Sequence, residues 1–262
     1  IDYATGNWSE GLTAYLADHL LKEREGQGAQ YRRDSLQAYA DYVRAAEDFP
    51  LSAFRGRHGS ASQAIGYGKS LMLFHMLRRD LGDEAFIAGL RRFYQDNVFH
   101  TAGYDQLRLA FEQISGRDLK DFFATWTRRT GAPALRLDDV TLDAVPPGYR
   151  IRGRIAQTQA EPPFPLQVPL VIHLADGGLV QRHLPMDART LDFELELPAA
   201  PLRLALDPGF DLFRHLAPGE NPPSLSALFG AERGLLVLAA AEPADLAAAY
   251  RQLGQSWIAK ES

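Results

Sequence analysis

Acid–base or metal chemistry in this chain falls to seven histidines, ten tyrosines and thirty-three carboxylates, because its 262 residues include no cysteine. Without thiols there is no disulfide framework, no thiol nucleophile and no Cys-ligated zinc. The histidines are His19, His58, His75, His100, His173, His183 and His215. No two of them have the HExxH spacing that sets two imidazoles and a carboxylate on one helix face. His19 and Glu23, four apart, make half of such a site, and the pair reads as an amphipathic helix with an exposed Glu. GxSxG, P-loop, GxGxxG and EF-hand patterns do not occur. Two groups stand out from the rest: Glu10 in Trp8-Ser-Glu-Gly11 and Tyr67 in Tyr67-Gly-Lys-Ser70. Taken singly, a Glu near a helix start complements the helix dipole, and a Tyr before a helix packs in a core.

The elements that must position these groups are helical as far as residue 133. Leu12, Tyr15, Leu16, His19 and Leu20 recur at helical spacing, and Gly26 and Gly28 are expected to stop them. Leu36, Tyr39, Tyr42 and Val43 carry the pattern on to Phe49-Pro50. Leu71, Phe74, His75, Leu77 and Leu81 form another face, closed by Gly82 at a position that favours positive φ. Asp83 is expected to cap the next helix, with Phe86, Leu90, Phe93 and Tyr94 facing inward. Asp105 opens a helix with Leu107, Phe111 and Ile114, ended by Gly116. Asp118 opens the last, with Leu119, Phe122, Phe123 and Trp126 inward, ended by Gly131-Ala132-Pro133. Short helices on tight turns imply an antiparallel array.

After Pro133 the apolar period changes to two. Val140 and Leu142, then Tyr149, Ile151 and Ile155, then Leu170, Ile172 and Leu174 alternate with other residues; so do Leu191 to Leu197 and Leu202 to Leu206. Pro146-Pro147-Gly148, Glu161-Pro162-Pro163, Asp176-Gly177-Gly178 and Pro198–Pro201 separate them. Six or seven short strands so spaced predict an antiparallel β-sandwich. Beyond it, Gly234–Ala241 reads as one strand and Pro243 opens a helix bearing Leu246, Tyr250, Leu253 and Trp257. A lone strand-helix unit cannot satisfy its own edges, so further chain or a borrowed sheet is expected. The fold class is therefore α+β and multidomain, with domains at 1–133 (helical), 134–208 (β-sandwich) and 209–262 (connector and strand-helix unit).

Net charges over these zones are 0, −3 and −2, giving −5 in all. No basic surplus points to nucleic acid. No apolar run approaches the roughly 20 residues that span a bilayer. Residues 1–262 begin at Ile1 with no signal-peptide pattern, and they read as part of something longer.

Further motifs accompany the two around Glu10 and Tyr67: Ala64-Ile-Gly-Tyr-Gly-Lys-Ser70, Leu81-Gly-Asp-Glu-Ala-Phe86, Ser115-Gly-Arg-Asp-Leu119, Phe122-Phe-Ala-Thr-Trp126 and Gly131-Ala-Pro133. In this order, over roughly residues 6–135, the series resembles the zinc metallo-aminopeptidases of the gluzincin group, the family of membrane alanyl aminopeptidase. The resemblance implies that Glu10 is the third zinc ligand and Tyr67 the tyrosine that stabilises the tetrahedral intermediate, with Ser70 in place of the usual Gly. It implies a small β-sandwich after the helical domain, and Asp207-Pro-Gly-Phe-Asp211 resembles that family's D-P-x-x-D closing segment. The last fifty or so residues do not match.

In that family the second His of HExxH precedes the ligand Glu by 19 positions, which falls before Ile1. The two His ligands, the general-base Glu and the segment gripping the substrate's amino group are thus expected upstream. Residues 1–262 are expected to hold one zinc ligand of three, to bind no zinc tightly and to have no peptidase activity alone, while the full-length parent hydrolyses N-terminal residues from peptides with Zn2+. A different class fits as well: a non-catalytic peptide-binding or assembly module that keeps the fold. A sugar-binding sandwich is a third reading, with Tyr149 and Phe164 as its aromatic candidates. Without a covering helix, the apolar face of residues 12–20 is expected to be partly bare and to drive self-association.

Overall fold

The structure is a computed structural model of the 262-residue chain. It describes residues 1–220, 222–231, 235, 237 and 244–258. Two units are present, Ile1–Pro223 and Ser224–Ser262. The expected boundaries at 133/134 and 208/209 both lie inside the first.

The first unit begins with a helical array. A long helical segment runs as α1 (Trp8–Ala14), a π-helical turn (Tyr15–His19) and α2 (Leu20–Arg24); α3 (Gly28–Tyr42) follows. A second composite helix is α4 (Ser60–Gln63), a π-helical turn (Ala64–Lys69) and α5 (Ser70–Leu81). Then come α6 (Asp83–Asn97), α7 (Tyr104–Ser115) and α8 (Lys120–Arg128). Gly82 ends α5 at φ +82°, a conformation that a Cβ disfavours, and so turns the chain directly into α6.

Several local expectations need correction. Gly26 takes positive φ and ends α2, but Gly28 starts α3, because only the first of the two breaks helical dihedrals. Helix α3 stops at Tyr42, well before Phe49. Gly82, not Asp83, is the N-cap of α6, and Asp83 sits in the first turn held by Arg78. Tyr94 and Ile114 are exposed; the faces of α6 and α7 are narrower than their apolar count suggests.

Six antiparallel strands follow: β1 (Leu135–Val145), β2 (Gly148–Gln157), β3 (Leu166–Leu174), β4 (Leu179–Met186), β5 (Thr190–Leu197) and β6 (Pro201–Leu206). They form two three-stranded sheets, ordered β1-β2-β5 and β4-β3-β6. Ile151 pairs with Leu195 in the first, and Ile172 lies between Val180 and Leu204 in the second. Side chains of both sheets meet in one cluster of Ile151, Leu197, Ile172 and Leu174. Val140 and Leu142 stay exposed because β1 is an edge strand whose register shifts between Asp138 and Thr141. The main core runs from Leu36, Leu73 and Phe74 through Trp126 to Phe164 and Val168, so helices and sheets share it. Phe164 is wholly buried, stacked on Trp126 and beneath the Arg129 guanidinium. That removes it as a sugar-stacking residue.

The second unit contains α9 (Leu225–Phe229) and α10 (Ala244–Ile258), the latter carrying Leu246, Tyr250, Leu253 and Trp257. Most of the expected strand Gly234–Ala241, and Pro243, lie outside the described residues.

Candidate active site

Asn7 starts α1 with its side-chain oxygen accepting from the Ser9 amide (3.2 Å), so the chain enters the helix with Glu10 in the first turn. The Trp8 indole N–H donates to the Ala102 carbonyl (2.8 Å), and its ring stands edge-on to Phe93. Gly11 faces Ser70 so closely that a Cβ there would lie 2.0 Å from the Ser70 Oγ. Absence of a side chain at Gly11 is therefore what lets α1 lie against α5.

Tyr67 projects from the second π-helical turn. Gly66 beside it leaves room for the Phe54 ring, which a Cβ would approach to 2.1 Å. π-turns of this kind cost helical regularity and are frequent at functional positions. Helix α1 packs on this turn, and the Glu10 carboxylate on it acts on the half-buried Tyr67 phenol. Burial raises its pKa, the nearby Glu10 carboxylate raises it further, and Arg57 opposes. The phenol thus keeps its proton and can donate it in a hydrogen bond. Glu10 is half-buried and forms no ion pair among the described residues. The packing of α1 on the second π-helical turn thus brings the two residues singled out in the sequence near one another from separate elements. An open groove of about 320 Å³, lined by Tyr31, Ser35 and Gln63 among others, adjoins Tyr67.

A second cluster lies deeper. His19, Glu23 and His75 bring potential ligand atoms within 4.8 Å of one another, and the two imidazole rings are 5.3 Å apart. His19 is thus buried, not merely a neighbour of Glu23 along a solvent-facing helix, and its partner His75 comes from α5. Every arm of this cluster but one is already engaged. The Arg32 Nη1 donates to the His19 Nε2 (2.8 Å), which leaves the proton on Nδ1, a buried atom with no partner among the described residues. Arg78 donates to Glu23 (2.9 Å) and to the Tyr15 hydroxyl (3.4 Å). The Tyr15 hydroxyl then donates to the His75 Nδ1 (3.3 Å), and the His75 Nε2–H donates to Asp211 (2.8 Å). Burial, then the neighbouring His75, Arg32 and Arg78, pull the His19 pKa down to about 3. Two guanidiniums against the same groups make the cluster a poor cage for a cation. It is a hydrogen-bonded core, with Tyr15 pushed up to about 12 by burial.

Asp207-Pro-Gly-Phe-Asp211 closes over this core. The Arg32 guanidinium donates to the carbonyls of Gly209 and Phe210 and pairs with Asp211 (3.2 Å). Burial works to raise the Asp211 pKa, but the His75 hydrogen bond and the charges around it win and hold it at about 2. His75, Arg32 and Arg78 escape notice in the sequence because no local spacing links them. Asp211 carried a signal in the Asp207-Pro-Gly-Phe-Asp211 segment.

No protein-family model matches the chain. Over 77 residues it is 38% identical to aminopeptidase N of Lactococcus lactis subsp. lactis, covering 29% of this chain and 9% of that protein. Over 79 residues it is 33% identical to glutamyl aminopeptidase of Bitis rhinoceros, covering 30% and 8%. The matched segment thus covers less than a tenth of each of these relatives. Legionella pneumophila aminopeptidase A, solved in complex with aspartic acid, superimposes with a TM-score of 0.53 at 21% identity, over 87% of this chain and 27% of that one. Among the described residues no helix is long and apolar enough to cross a membrane. The homologues of this chain are aminopeptidases, and its α+β fold is aminopeptidase-like.

Proposed function

We propose that Glu10 and Tyr67 are one zinc ligand and the transition-state phenol of a zinc aminopeptidase site of gluzincin type, which removes N-terminal residues from peptides. The observation that carries this reading is the packing of α1 on the turn that bears Tyr67, which sets a carboxylate with no ion pair among the described residues near a phenol that keeps its proton. Glu10 fits a metal in a way that Glu23 does not, because among the described residues no guanidinium holds it. Two histidine ligands and a general-base glutamate belong to sequence outside residues 1–262, consistent with relatives more than ten times longer than the matched segment.

Zinc held by three protein ligands supplies a polarised carbonyl and a water activated near neutral pH. What this chain supplies is position and a proton donor. Glu10 presents its carboxylate from a capped helix start, and Tyr67 aims an O–H at charge developing on the scissile carbonyl oxygen. One such donor is worth about 10²–10³ in rate.

The test is co-expression of the chain with the parent's N-terminal half, assaying release of an aminoacyl fluorophore. Tyr67→Phe should lower kcat by about two to three orders of magnitude, and Glu10→Gln should lower both activity and bound zinc. If both are silent, the roles are wrong and the non-catalytic module is the better account. Alone, the chain should hold no stoichiometric zinc after dialysis against a weak chelator. Self-association belongs to the same reading: within residues 12–20 Tyr15 and His19 are buried and Leu12 and Leu20 half-buried, while Leu16 is 41% exposed. Monomeric behaviour in light scattering at high concentration would count against it.

A further inference from the structure

We infer that the Ala102–Tyr104 segment is the element that positions Glu10 against Tyr67, with Tyr104 as its principal positioning residue. The inference rests on the reading of Glu10 and Tyr67 as a working pair, and Ala102, Gly103 and Tyr104 stand outside every motif named above. Three contacts support it. The Ala102 carbonyl accepts from both the Asp2 amide (2.8 Å) and the Trp8 indole (2.8 Å), so one backbone oxygen anchors the turn before α1 and the residue two before Glu10. Gly103 packs so closely on that turn that a Cβ would lie 2.3 Å from the Thr5 Oγ1. The Tyr104 hydroxyl shares a hydrogen bond of 3.2 Å with the Ser70 Oγ, the same atom that abuts Gly11.

These contacts bracket Glu10. Trp8 is tied on one side of it by Ala102, just before α7, and Gly11 is stopped on the other by Ser70 of α5, which Tyr104 at the start of α7 holds. Ser70 follows Tyr67 by less than one helical turn, so an atom that fixes Ser70 against Gly11 also fixes the separation of the two helices carrying the pair. Ser70 is fully buried and Tyr104 nearly so. Neither hydroxyl has water to fall back on. Cutting their bond leaves Ser70 free to rotate and α1 free to drift, and a drift of about 1 Å at a reacting group is costly in rate.

Tyr104→Phe removes one hydroxyl and keeps the ring, and Ser70→Ala removes the other partner should the first variant fail to fold. Tyrosine ring ζ-carbons are labelled, and the Tyr67 resonance, assigned through Tyr67→Phe, is followed at one fixed pH. Glu10→Gln displaces that resonance and calibrates the carboxylate contact. Tyr104→Phe and Ser70→Ala should each move it in the same direction by at least half as much. Combining either with Glu10→Gln should add nothing. An unmoved resonance in both variants overturns the inference, as does a Tyr104→Phe shift that persists undiminished beside Glu10→Gln. In the co-expressed enzyme, Tyr104→Phe should lower kcat about tenfold with KM unchanged. A coupled resonance with unaltered kcat would instead sink the catalytic reading of the pair and leave its positioning intact.

Discussion

At Gly11 a single missing methyl decides how near two helices lie. The Ser70 side chain occupies the space a Cβ would need, and neither backbone can retreat without dragging Trp8 off the Ala102 carbonyl. Gly11→Ala should therefore destabilise the chain by about 2–3 kcal/mol in urea unfolding, the usual cost of overpacking, despite alanine's better helix propensity. Ser70→Gly in the same molecule should return at least half of that loss. Strict additivity of the two single changes would show that they do not meet. Glu10, Gly11 and Tyr67 were legible in the sequence because each sits in a short motif with its neighbours. Ser70 stood in the same motif, yet what it touches depends on a helix sixty residues earlier, and no periodicity reports such a contact.

The helical elements meet around the buried histidines, and this junction should respond to pH. The His19 pKa is lowered from 6.5 to about 3, chiefly by burial. A depressed value means the unfolded chain takes up the proton first. His19 thus contributes stability that is present above about pH 6.5 and lost progressively as pH falls towards 3. Between pH 7.5 and 5.0 this one group should cost about 2 kcal/mol, and His75, also lowered by burial, acts in the same sense. Urea midpoints at the two pH values should show the loss, and His19→Gln should flatten it; an equally steep dependence in the variant would acquit His19. Most elements here were legible from local signals, since Gly82 and Gly116 mark helix ends with positive φ. The exceptions have physical reasons. Strand β4 is an edge strand with a largely exposed, mixed face, and its side chains carry little of the period-two signal. The small residues of 60–69 build a helix because Phe54 fills the space over Gly66 and α1 and α3 pack on the turn, none of which is a near neighbour in sequence.

Across the whole first unit, the chain leaving β6 is what fastens the sheets to the helical array. Asp207, fully buried, accepts from the amides of Asp211 (2.7 Å) and Leu212 and from the Arg214 Nε (2.8 Å). Arg214 in turn grips Glu220 with both terminal nitrogens (2.7 Å each). Burial raises the Asp207 pKa to about 6 even though Arg214 opposes it. The sign is opposite to that of His19. An acid raised above its unfolded value favours folding at low pH, and that contribution is lost as pH rises through about 6. At neutral pH a buried carboxylate is therefore being kept charged by one guanidinium. Arg214→Met should cost about 3–5 kcal/mol at pH 7.5, where Asp207 is left charged and unpaired. At pH 5.0 the carboxyl is protonated, needs no counter-charge, and the same substitution should cost markedly less. Asp207→Asn combined with Arg214→Met should reproduce the low-pH behaviour at pH 7.5, because the amide keeps an acceptor for the Asp211 amide and carries no charge. Chemical denaturation of the three chains at both pH values checks this. A cost for Arg214→Met that is the same at pH 5.0 and 7.5 would mean that packing, and not charge, joins the sheets to the helices at this point.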